Sequence, residues 1–167
     1  MMIGLRSGPF YLLRHPLISN QHKSMSINPN TYDALEVGQS ATITRFISAA
    51  DVQTFADVTG DDNPIHINAE YAETTRFGKP IVHGIFLLGI ISKALGRDFP
   101  GPGCIAVSIQ ARFLRPVPVD SEITVEVKVA EKIEKYRHIK MKTYIYLNKK
   151  MCVGGEAILI PPGETTI

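Results

Sequence analysis

Apolar residues change their spacing along the chain, and each change predicts an element. Ser40 to Ile47 (SATITRFI) is rich in β-branched residues and reads as a strand. Ser48 then opens a helix. Asp51 three residues on completes a capping box, with Asp in place of the usual Glu or Gln. Val52, Phe55 and Ala56 fall at i, i+3 and i+4 and give that helix a buried stripe. Gly60 can end it in the left-handed conformation. Residues 61–67 form a turn-rich link, and Asn68 can cap a second short helix, AEYAETT, which stops near Phe77-Gly78. From Ile85 to Leu95 (IFLLGIISKAL) apolar residues occupy nearly every side, so this helix is expected to be buried all round, with Gly96 as its stop.

Beyond a Gly/Pro loop (Pro100 to Gly103) the period becomes two. Ile105, Val107, Ile109, Ala111 and Phe113 alternate with more polar positions. So do Ile123, Val125, Val127 and Val129, and then Ile139, Met141, Thr143 and Ile145. Asn148-Lys149-Lys150 suits a hairpin loop, and Met151 to Ile160 returns as a last strand. The predicted plan is α+β: one strand, two short helices, one apolar helix, then a run of long antiparallel strands. A curved antiparallel sheet wrapped around one central apolar helix buries both, which is a single hot-dog fold. The sheet's edge strand needs cover, so a homodimer is expected.

Length and composition narrow the class. The 167 residues suit one domain plus a short extension, and 44% hydrophobic with 20% charged residues fits a soluble globular protein. A net charge of +2 is too small to argue for nucleic acid as a partner. No stretch reaches the roughly 18–20 uninterrupted apolar residues of a membrane span. Cys104 and Cys152 lack metal-type spacing and read as small core residues. The N-terminus differs in kind. Arg6, Arg14 and Lys23 precede the first acid, Asp33, among apolar residues and serines. That is the composition of an amphipathic transit peptide. Residues 1–27 are therefore expected to be a mitochondrial transit peptide, with a disordered leader as the alternative, residues 28–167 the folded domain, and the mitochondrial matrix its location.

The chemistry-bearing segment is Thr59-Gly60-Asp61-Asp62-Asn63-Pro64-Ile65-His66. Pro64 prevents a regular helix through it and favours an extended Asn63. A turn there can aim the Asp61 carboxylate and the His66 imidazole at one water as an acid–base pair. Asn63 can brace the turn through its side chain, while Asp62 reads as a solvated charge. The second segment, Ile81-Val82-His83-Gly84, precedes the apolar helix, whose first N–H groups lack intrahelical acceptors. Gly84 lets a carbonyl approach its amide closely, or else serves close packing alone. His83 either lines the site or caps and packs at the helix start. Asp61, Asp62, His66 and His83 match no standard zinc or calcium loop, and neither metal nor cofactor is expected.

G-D-x-N-P-x-H followed by P-I-V-H-G resembles the MaoC-like, (R)-specific enoyl-thioester hydratases, and the match continues through Phe113, Pro116 and Val117. A leader joined to a single hot-dog domain is similar to the mitochondrial type 2 hydroxyacyl-thioester dehydratases. The resemblance covers roughly residues 35–162. It departs at Asp120-Ser121, where the family often has Gly-Asp, a turn expected to lie away from the chemistry. The resemblance implies a hydro-lyase that interconverts (R)-3-hydroxyacyl and trans-2-enoyl thioesters, on acyl carrier protein or coenzyme A. It implies Asp61 and His66 as the catalytic pair, Asn63 as turn support and the Gly84 amide as oxyanion hole.

Two other functions use the same scaffold. A thioesterase needs a carboxylate directed at the carbonyl carbon, which the Asp–Asn–His turn argues against. A non-catalytic acyl-thioester binding module would not need the site residues that are present. Lys132, Lys135, Arg137, Lys149 and Lys150 read as a solvated face, with an acidic carrier or nucleotide phosphates as the functional alternative.

Overall fold

A computed structural model of the protein describes residues 29–163; the leader assigned to residues 1–27 lies outside them. Five strands form one antiparallel sheet: β1 (Ser40–Ile47), β2 (Ile105–Phe113), β3 (Ser121–Ile133), β4 (His138–Leu147) and β5 (Lys150–Ile160). Their order is β1-β3-β4-β5-β2, so β1 and β2 are the edges. The helices are α1 (Ala49–Thr59), α2 (Pro64–Ile67), α3 (Ala69–Glu73) and α4 (Gly84–Lys93). The sheet curves around α4, as the hot-dog plan requires.

The core follows the period-two pattern most faithfully on the central strands. Val125, Val127 and Val129 of β3 and Ile139, Met141 and Ile145 of β4 are buried against Leu87, Ile91 and Leu95. Burial of each such side chain contributes about 1.5–3 kcal/mol. Thr143 is buried on the same face, with its hydroxyl unpartnered.

Helix α1 starts and stops as its sequence dictates. The Ser48 side chain accepts from the Asp51 N–H, and the Asp51 carboxylate accepts from the Ser48 N–H. Gly60, at φ 75°, turns the chain left-handed and donates to the Ala56 carbonyl. Phe55 then stacks on Phe86 at 5.1 Å, so α1 shelters one side of α4.

Four expectations are corrected. Helix α4 is not buried all round: Ile85 is 61% exposed, and Gly89 and Ser92 are exposed as well, so one face is open. Gly96 does not stop it, because a π-helical turn carries the chain on to Asp98. On β2 the register shifts between Ala106 and Ser108. That bulge breaks the in–out alternation, leaving Ile105 and Val107 half exposed on an edge strand. The last hairpin needs only Asn148 and Lys149, both at positive φ, so Lys150 already belongs to β5.

Candidate active site

Asp61 follows the glycine that ends α1, and His66 lies on the short helix α2 that comes next. Pro64 occupies the first turn of α2, where its missing N–H costs nothing. The link is thus tighter than expected: one helical turn rather than an irregular segment. Asn63 is extended (φ −50°, ψ 122°) and caps the turn, its side-chain oxygen accepting from the Ile65 N–H.

Ile81 fastens this turn to the rest of the domain. Its N–H donates to the Ile65 carbonyl, and its own carbonyl accepts from His66 Nδ1 at 2.7 Å. Residues 80–82 are themselves held beside residues 117–119, with Val82 N–H donating to the Val117 carbonyl and Val119 N–H to the Pro80 carbonyl. Because a carbonyl only accepts, Nδ1 of a neutral His66 carries the proton and Nε2 keeps the lone pair. Burial is the main cause that holds the His66 pKa below its ordinary value of 6.5, and His83 acts in the same direction. The Ile81 hydrogen bond and the Asp61 charge oppose it.

His83 is 1% exposed and is therefore no surface cap. Its side chain makes no cap bond to α4. Instead Nε2–H donates to the Asp61 carbonyl at 2.9 Å, leaving Nδ1 buried and unpartnered. Its ring lies 3.8 Å from that of His66 and 4.9 Å from that of Phe55. Asp61, His66 and His83 each offer an atom within 4.8 Å of the others. A bridging water can span such a gap with two ordinary hydrogen bonds. The same three residues form a metal-compatible triplet, although His66 Nδ1 and His83 Nε2 are already engaged by carbonyls.

Asp61 and His66 open into a cavity of about 480 Å³ that Gly84, Ile85, Leu87, Phe113, Arg115 and Val117 also line. The start of α4 therefore faces the same space as Asp61 and His66. A Cβ at Gly84 would stand 3.0 Å from the Phe113 ring. Gly84 thus lines the cavity, and its missing side chain admits an aromatic ring.

The other sequence-level candidates separate. Asp62 is exposed. Lys132 and Arg137 lie over the Tyr32 ring at 4.6 and 4.5 Å, Arg137 also pairs with Asp33, and Lys135 covers Tyr136. None of the five basic residues singled out above lines the cavity; Arg76 and Arg115 do. The turn at Asp120 (φ 57°) is closer to the site than expected. Asp120 caps α1 through Ala49 N–H and shares a cleft of about 390 Å³ with His66. Cys152 is buried and Cys104 half-buried, the latter thiol being pushed up to about 11 by burial. Among the described residues no helix is long and apolar enough to cross a membrane.

Sequence comparison gives a match of residues 31–150 to the MaoC-like domain. The chain is 37% identical over 131 residues to a 3-hydroxybutyryl-CoA dehydratase of Methylorubrum extorquens, covering 78% of this chain and 83% of that one. It is 30% identical over 132 residues to a mitochondrial 3-hydroxyacyl-acyl-carrier-protein dehydratase of Arabidopsis thaliana, covering 77% and 78%. Its fold superposes on the unliganded R-hydratase of Pseudomonas aeruginosa with a TM-score of 0.76 and 41% identity, over 80% of this chain and 86% of that one.

Proposed function

The chain belongs to the MaoC-like domain family, and from that premise we propose that it is a hydro-lyase interconverting (R)-3-hydroxyacyl and trans-2-enoyl thioesters. The observation that carries this reading is the shared cavity: one carboxylate, one imidazole with a free Nε2 lone pair, and the amide end of α4. In hydration, His66 Nε2 takes a proton from water as the oxygen bonds to carbon three. The Asp61 carboxylate accepts the second O–H and orients the water. The Gly84 amide donates to the thioester oxygen as charge develops there. The imidazolium then returns its proton to carbon two, so one water is added and nothing else is consumed. Dehydration retraces these steps. Asn63 holds the turn, and His83 fixes the Asp61 backbone while bearing on His66. A thioesterase would need a carboxylate aimed at the carbonyl, and here a carboxylate oxygen lies within 4.8 Å of imidazole nitrogens.

The test is direct. Purified protein given trans-2-enoyl thioesters of several chain lengths is expected to consume the enoyl absorbance and yield the (R)-3-hydroxy product. Release of free thiol without hydration would show a thioesterase, and binding without turnover a non-catalytic module.

The depressed His66 pKa predicts a pH dependence. A neutral His66 is the working base, so kcat/KM should hold down to about pH 6.5 and fall below it. The same group contributes stability above its unfolded pKa, which is lost as pH falls from there toward the lower folded pKa. A pH–rate profile whose acid limb lies above 6.5 would count against this assignment.

Location and assembly complete the proposal. The leader composition of residues 1–27 and the mitochondrial plant relative support a role on acyl carrier protein in mitochondrial fatty-acid synthesis, in the matrix. A fusion carrying residues 1–27 that stays in the cytosol would remove that part. The open edge of β2, with Ile105 and Val107 half exposed, and the open face of α4 support a homodimer. Sedimentation is expected to show a dimer; a monomer at assay concentration would contradict it.

A further inference from the structure

We propose that Arg76 and Arg115 form a phosphate-binding rim on the catalytic cavity, which holds the phosphate-bearing carrier of the thioester. The inference rests on the thioester reading of that cavity. The two arginines reach it from separate segments, Arg76 from the loop between α3 and α4 and Arg115 from the connection between β2 and β3. Both are exposed, and neither belongs to an ion pair with a carboxylate among the described residues.

Each is nonetheless anchored. Arg115 Nη1 donates to the Met151 carbonyl at 2.6 Å, and the Arg115 backbone N–H donates to the Cys152 carbonyl. The Arg76 guanidinium lies over the Phe77 ring at 4.9 Å. An anchored guanidinium loses less freedom on binding, and its remaining N–H donors match a phosphate fork.

The chemistry of the substrate then selects the ligand. The reacting end of an acyl thioester is uncharged. Its carrier is anionic through phosphate, whether the carrier is coenzyme A or the prosthetic arm of a carrier protein. Among the described residues Asp61 is the only carboxylate lining this cavity, so an anion entering beside the two arginines meets a net positive rim. The basic residues that sequence alone suggested are partly committed elsewhere: Lys132 and Arg137 cover Tyr32, and Lys135 covers Tyr136.

The test compares trans-2-enoyl thioesters of phosphopantetheine, of pantetheine without phosphate, of coenzyme A and of a carrier protein. Full-length protein and the Arg76→Gln/Arg115→Gln double variant are assayed on each. For the wild type, KM for the pantetheine thioester should exceed that for the phosphopantetheine thioester by about tenfold or more. In the variant that ratio should approach one. Added salt should shrink the wild-type ratio in the same direction. If the variant instead erases only a preference for coenzyme A over phosphopantetheine, the rim binds the nucleotide phosphates. If the variant keeps the wild-type ratios throughout, the rim is overturned while the hydro-lyase reading stands. If the wild type hydrates none of the thioesters, both fall together.

Discussion

Replacing Asp61 by Asn or His66 by Ala is expected to lower kcat by about 10²–10⁴-fold, with the domain still folded. The fold should tolerate both changes because neither side chain supports much else. Asp61 is exposed, and its backbone makes its hydrogen bonds: its N–H donates to Thr59 Oγ1, and its carbonyl accepts from His83. His66→Ala removes one bond, to the Ile81 carbonyl, at a cost of about 1 kcal/mol. In the proposed mechanism the chemical loss is large because the two groups act on one water, and either alone leaves it unactivated or unoriented. Their effects should therefore be far from additive, and Asp61→Asn/His66→Ala should be little worse than the more damaging single change.

His83→Phe provides the contrast. It keeps a ring between Phe55 and His66 but has no donor for the Asp61 carbonyl. A drop of about 10–10²-fold is expected, since a misplaced carboxylate retains its charge but loses its aim. Circular dichroism and thermal melting separate these losses from unfolding. Wild-type dehydration rates in either Asp61→Asn or His66→Ala would refute the acid–base assignment.

The parts of this site that were legible in the sequence are those fixed by local chemistry. The Ser48–Asp51 box, the left-handed Gly60 and the Asn63 brace act within a few residues, so short-range rules suffice for them, whereas the one-turn helix that Pro64 starts was read as an irregular turn. The inward faces of β3 and β4 were legible because both strands are central and covered, where a period of two is enforced by burial. The same rule failed on β2. At an edge a bulge costs little, and the register shift at Ala106/Ser108 turned Ile105 and Val107 toward the open side. Helix α4 misled in a related way. Its composition called for burial on every side, but the described residues cover only part of it, and one face stays open.

What sequence could not supply was the fastening between distant segments. The Ile81 carbonyl sets the His66 tautomer, and a backbone oxygen has no residue-type signature. The His83 bond to the Asp61 carbonyl spans 22 residues and likewise depends on backbone position. Arg76 and Arg115 are 39 positions apart in the numbering and line one cavity only because two connections border it. The charge run that drew notice instead, at residues 132–137, is visible in sequence as a local cluster, but Lys132 and Arg137 serve Tyr32, a residue from the far end of the domain, and only Lys135 serves its neighbour Tyr136.

Gly84 distinguishes the two ways in which a glycine can be required, and its replacement by Ala is expected to lower kcat/KM by about 10²-fold. The added methyl would sit 3.0 Å from Cε1 and Cζ of Phe113, closer than ordinary contact. Phe113 is 51% exposed and ends an edge strand, so its ring can give way. The stability cost should therefore stay near the low end of the about 1–3 kcal/mol typical of overpacking, a shift of a few degrees in Tm. In the proposed mechanism the cost in rate has another source: the methyl occupies the cavity wall where the thioester oxygen is to approach the amide. Gly84→Ala/Phe113→Ala separates these causes, because it makes room for the methyl without removing it from the wall. If the amide grips the thioester, melting recovers in the double variant relative to Phe113→Ala alone while the rate loss persists. If Gly84 serves only to admit the ring, the added methyl costs no rate once Phe113 is shortened, and the oxyanion role passes to another amide of the first turn of α4.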